Sequence, residues 1–106
     1  MKEDVFNQYV NAIVNRLRIT KIELFTKNKE RDIAEARYML YYLCRNRGLK
    51  IALICKYLEK NNYKVGHSVV QHGLKRFEQM IENDPDYNKC LKYYMKKLCL
   101  IIGQQT

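Results

Sequence analysis

Val5, Phe6, Tyr9, Val10, Ile13 and Leu17 recur at intervals of three and four residues, the spacing that lines one face of an α-helix. They predict an amphipathic helix over residues 4–17. Thr20 and Glu23 then bracket Lys21-Ile22 as a capping box ahead of Leu24 and Phe25, which predicts one short helical turn packed back on the first helix. Residues 26–31 are polar and basic and read as a loop. Ile33, Ala36, Leu40, Leu43 and Cys44 predict a helix over 32–47, with Arg45 and Arg47 near its C-terminal dipole and Gly48 as a left-handed stop. Ile51, Ile54, Cys55 and Leu58 give a short helix over 50–58, and Glu59 to Lys64, with Asn61-Asn62 inside it, reads as a polar turn. A further helix over 67–82 turns Val70, Gly73, Leu74, Phe77 and Ile81 inward. Asp84-Pro85 breaks the chain and restarts it, and Tyr87, Cys90, Leu91, Tyr94, Leu98 and Ile101 form a last stripe.

One proline and four glycines in 106 residues leave few breakers. The expectation is all-α: a compact bundle of five to six helices, one domain over 1–106, containing a helix-turn-helix. No apolar run approaches the roughly 18–20 residues that span a bilayer. The first residues lack the apolar core of a signal peptide. A cytoplasmic protein without a membrane partner is therefore expected. Cys44, Cys55, Cys90 and Cys99 contain no C-x-x-C spacing, so they read as buried thiols in a reducing compartment, with neither zinc nor disulfides.

Charge changes this picture. The chain carries 20 Lys+Arg against 11 Asp+Glu, a net charge of +9, and residues 27–76 hold eight of the nine excess charges. A segment this basic points to a polyanion, nucleic acid first. On the helix over 67–82, His67, Ser68, Gln71, His72, Lys75 and Gln79 lie opposite the apolar stripe, flanked by Val69 and Arg76. Every member of that polar stripe donates or accepts hydrogen bonds, and no acid appears before Glu78. A helix that enters the major groove needs such a face, with short donors near its N-terminus. The helix over 50–58 and its turn complete a helix-turn-helix. His67 and His72 are five residues apart, about 140° around the helix, and do not converge on one metal ion. No P-loop and no nucleophile–base pair is found. The reading is of a binding protein, not an enzyme, with no cofactor, metal or small-molecule substrate.

The segment Gly66-His67-Ser68-Val69-Val70-Gln71-His72-Gly73 resembles D-H-[ST]-T-V-x-H-[AG], the signature that opens the recognition helix in the C-terminal DNA-binding domains of bacterial chromosomal replication initiators of the DnaA family. Lys75-Arg76-Phe77-Glu78 continues the likeness. Ala34 to Met39 resembles the family's A-R-x-R-x-x-A-M segment, and Tyr41 to Arg45 its Y-L-[CA]-[RK] run. Ile19 to Phe25 is similar to the short element before its basic loop. The resemblance covers about residues 8–98. It implies a Trp-repressor-like helix-turn-helix that binds double-stranded DNA, with a basic loop in the minor groove and a helix in the major groove. Carried over, His67, Ser68, Val69 and His72 face bases or phosphates, Arg37 clamps the backbone, and Lys29 or Arg31 enters the minor groove.

The chain also departs from the pattern. Gly66 stands where the family has a base-contacting Asp, and Val69 replaces a Thr, keeping a methyl and losing the hydroxyl. Glu30, Asp32 and Glu35 dilute the basic loop. The turn over 59–65 is about four residues longer than the family's, which brings Tyr63 and Lys64 within reach of the backbone. These departures bear on which sequence is bound. Neither Arg37 nor His67 is expected on a buried stripe. The expected protein is a free-standing domain, bacterial or phage-encoded and nucleoid-associated. It acts in replication or transcription control, where a replication or transcription protein is a further partner. The rival is a protein–protein interaction module that keeps the fold without DNA, favoured if Tyr38, Tyr41, Tyr42, Tyr93 and Tyr94 form an exposed patch. RNA is disfavoured because its A-form major groove is too narrow for a helix.

Overall fold

The computed structural model describes residues 2–27 and 30–83, and every regular element among them is a helix. The first, α1 (Lys2–Leu17), buries Phe6, Tyr9, Val10 and Ile13 and places Glu3 and Asp4 in its first turn, where acids suit the dipole. A single turn follows, α2 (Lys21–Leu24), held by the capping box. Thr20 Oγ1 accepts the Glu23 N–H at 3.0 Å, and a Glu23 carboxylate oxygen accepts the Thr20 N–H at 3.2 Å. Three longer helices complete the described chain: α3 (Arg31–Asn46), α4 (Ile51–Lys60) and α5 (His67–Asn83). The all-α architecture expected from periodicity is the one observed.

Three of these helices close in the same way. A residue in the left-handed region stands at the end of α1 (Arg18, φ 55°), α3 (Gly48, φ 96°) and α4 (Asn62, φ 65°). The next N–H then reaches back five residues: Ile19 to the Val14 carbonyl at 3.1 Å, Leu49 to Cys44 at 3.0 Å, and Tyr63 to Leu58 at 3.0 Å. This closure satisfies carbonyls that the helix leaves without partners and folds an apolar residue back onto it. Leu49 and Tyr63 are buried as a result.

α3 is the central element and packs on all four others. Phe6 of α1 reaches across to Tyr57 of α4 at 5.4 Å between ring centroids and to Phe25 at 6.4 Å. Tyr42 of α3 meets Phe77 of α5 at 5.1 Å. α5 approaches α3 closely at Gly73. A Cβ there would lie 2.7 Å from Tyr41 Cδ2 and 2.8 Å from Tyr38 Cδ1, inside contact distance, so α5 rests directly on two tyrosine rings of α3.

Cys44 is fully buried in this core, and desolvation pushes its thiol up to about 12. Burial also raises the thiol of half-buried Cys55. Since the thiolate is the reactive form, Cys44 is expected to resist alkylation at pH 8 in the folded protein and to react once the chain is denatured. Peptide mapping by mass spectrometry reads each cysteine separately. Rapid labelling of Cys44 under native conditions would contradict the packing of α3.

Some expectations need correction. α4 continues to Lys60 rather than ending at residue 58, with Asn62 taking the left-handed position beyond it, so the connection to α5 is residues 61–66 rather than 59–66. Leu74 and Ile81, read as core, are half-buried. Tyr63, placed in a DNA-facing insertion, is buried. Arg37 is buried as well, which overturns the expectation that it lies off the inner face of its helix. The helix predicted after Pro85, with Cys90, Cys99, Tyr93 and Tyr94, lies outside the described residues, as does Lys29. No described helix is long and apolar enough to cross a membrane.

Candidate nucleic-acid interface

α5 starts directly after Gly66, whose carbonyl accepts the Val69 N–H at 3.2 Å. Val70, Gly73 and Phe77 are its buried residues, anchored on α3 through Tyr41 and Tyr42. That anchoring turns the opposite face to solvent. His67, Ser68, Gln71, His72, Lys75, Arg76 and Gln79 are all exposed. Val69 is 44% exposed, one of three large apolar side chains so placed among the described residues. No acid occurs in the first turn of α5, and the first one along the helix is Glu78. The face therefore presents two imidazoles, a hydroxyl, amides, cations and one isolated methyl pair. A Cβ on Gly66 would meet nothing within 4 Å, so the position just ahead of α5 is sterically open to a side chain.

The basic loop lies between α2 and α3. Arg31, at the start of α3, has an 89% exposed side chain whose Nε donates to Glu35 Oε1 at 3.1 Å. Such an exposed ion pair contributes little stability and leaves the guanidinium at the surface. Lys27 and Lys64 are also exposed, the first entering this loop and the second in the turn ahead of α5.

Arg37 joins these two segments. It is 6% exposed. Its Nη1 donates to the carbonyls of Leu24 at 3.2 Å and Thr26 at 3.1 Å, the residues that lead into the basic loop. Its guanidinium carbon lies 5.2 Å from the centroid of the Tyr63 ring in the turn before α5. Sequence reasoning missed this contact. The available signal was that position 37 lies four residues after Ile33 and four before Tyr41, both inward-facing; the charge of the side chain obscured it. The tyrosines do not form an exposed patch among the described residues: Tyr41 is 1% exposed, and Tyr38 and Tyr42 are half-buried.

Over 77 residues, 72% of its length, the chain is 31% identical to the chromosomal replication initiator protein DnaA of Lachnoclostridium phytofermentans. The similarity is to part of DnaA. This chain spans 16% of that protein's length. No family model matches the chain, and no solved structure does. The similarity agrees with the resemblance carried by the Gly66–Gly73 motif and suggests a DnaA-like domain.

Proposed function

We propose that this chain binds double-stranded DNA sequence-specifically, with α4, its turn and α5 acting as a helix-turn-helix and α5 entering the major groove. The observation that carries the reading is the solvent face of α5. Seven exposed hydrogen-bonding or cationic side chains, His67, Ser68, Gln71, His72, Lys75, Arg76 and Gln79, lie on the side of α5 away from the stripe locked onto α3, with no acid before Glu78. The similarity to DnaA supports it. In this reading His67, Ser68, Val69, Gln71 and His72 meet base edges. Lys75 and Lys64 hold phosphate, and Lys29 and Arg31 bring the basic loop to the backbone or minor groove. Arg37 supports that loop from inside and does not itself grip phosphate. The chain acts as a binding module in replication or transcription control, not as an enzyme.

The test is a gel-shift comparison of random duplex, single-stranded and initiator-box DNA, followed by anisotropy over a fourfold range of salt. About five phosphate contacts give a slope of log K against log salt of about −4 to −5. A slope near zero, or a preference for single strands, would overturn the reading and leave a protein-interaction module in its place.

A further inference from the structure

Arg37 is a buried cation that touches two segments far apart in sequence. On one side its guanidinium edge holds the Leu24 and Thr26 carbonyls. On the other its guanidinium carbon lies over the Tyr63 ring, 5.2 Å from the centroid, and that residue is itself 7% exposed. Leu24 ends α2 and opens the way to the basic loop; Tyr63 stands four residues before α5 begins. A planar guanidinium can serve both sides at once, because it donates N–H bonds in its plane and interacts with an aromatic ring through its charge and its faces. A lysine at this position carries the charge without the plane. Tyr63 is held in turn by its backbone, through the N–H bond to Leu58 at 3.0 Å that closes α4. The entry to the loop and the entry to the recognition helix are thus tied to one side chain on the central helix.

We propose that Arg37, through its contact with Tyr63, sets the spacing between the basic loop and α5, and so fixes the distance along DNA between the loop contact and the major-groove contact that the protein accepts. Arg37 is a positioning residue here. The proposal rests on the DNA-binding reading above, and it gives that reading a specificity determinant that touches no base. Two contacts at fixed separation select for register, whereas a slack connection tolerates sites of several spacings.

The experiment uses the full chain and the variants Arg37→Lys, Tyr63→Leu and Tyr63→Phe, each checked for folding by circular dichroism. Tyr63→Leu keeps an apolar side chain in place and removes the ring face; Tyr63→Phe keeps the face. Two readouts are taken. The first is hydrogen exchange of the free protein over the segment 24–27. Tyr63→Leu is expected to raise exchange there by about tenfold, although that segment is remote from residue 63 in sequence, while Tyr63→Phe leaves it unchanged. The second is affinity for a duplex recovered by selection and for the same duplex with one base pair inserted or deleted between the two protected regions. Wild type and Tyr63→Phe are expected to discriminate against the altered spacings by about tenfold or more. Arg37→Lys and Tyr63→Leu are expected to lose that discrimination, with affinity for random duplex held within about twofold. If Tyr63→Leu raises exchange only over 61–66 and spacing selectivity persists, the proposal is overturned. If the wild-type chain binds no duplex, the DNA reading fails and the spacing role fails with it. The exchange data still decide, independently, whether Arg37 couples loop and turn.

Discussion

Gly73→Ala is expected to destabilise the protein, although alanine is the better helix former. On propensity alone the substitution in the interior of α5 stabilises by about 1 kcal/mol. Against that, the new Cβ would sit 2.7 Å from Tyr41 Cδ2 and 2.9 Å from Tyr41 Cε2. These atoms belong to a buried ring, not to the end of a flexible chain, so α5 must lift or the ring must leave its well. Overpacking of this kind costs roughly 1–3 kcal/mol. The clash wins by up to about 2 kcal/mol, a drop in Tm of up to about 15 °C for a domain this small. Gly73→Val, with two further methyl groups, is expected to lose more. Thermal unfolding followed by circular dichroism measures both. An alanine variant more stable than wild type would mean that α5 does not sit this close to α3.

The second large effect concerns recognition. His67 and Ser68 occupy the first turn of α5 on its exposed face, where short side chains reach base edges in a helix-turn-helix complex. His67→Ala is expected to cost about 1–3 kcal/mol on a preferred duplex, a loss of roughly 5- to 150-fold, and much less on random sequence. Lys64 provides the contrast. It is exposed in the turn ahead of the helix, and as a phosphate contact it carries no sequence information. Lys64→Ala is expected to weaken preferred and random duplex alike and to flatten the salt slope by about one unit. Arg37→Ala is unsuited to this comparison, because removing a buried guanidinium also disturbs the fold. Equal losses on both duplexes for His67→Ala would make α5 a charge-held helix, not a reader.

Most of the fold could be read from the spacing of apolar residues. Phe6, Tyr9, Val10 and Ile13, like Leu40, Leu43 and Cys44, fall on inner faces because a helix repeats every 3.6 residues and the core selects for that period. The capping box at Thr20 and the stop at Gly48 were equally plain, since each depends on one residue type doing one local job. The polar face of α5 was visible for the same reason, as the complement of its buried stripe. Less visible were features that join distant segments. Arg37 falls on the inner face by position, but its residue type suggests solvent, and its burial is made tolerable by tertiary partners, among them two carbonyls and the Tyr63 ring. Tyr63 looked like part of a polar insertion. Its burial follows from the left-handed turn at Asn62, which directs the next residue back onto α4. Periodicity alone does not reveal a turn of this kind, because it depends on which of two adjacent asparagines adopts the positive φ.

The central claim is that the exposed face of α5 reads duplex DNA. The most direct test is an anisotropy titration of the wild-type chain, at one fixed salt concentration, against a duplex recovered by selection and against its scrambled counterpart. The expected result is affinity for the selected duplex at least about 10³-fold above the scrambled one. Equal affinity for the two, or no binding to either, would contradict it.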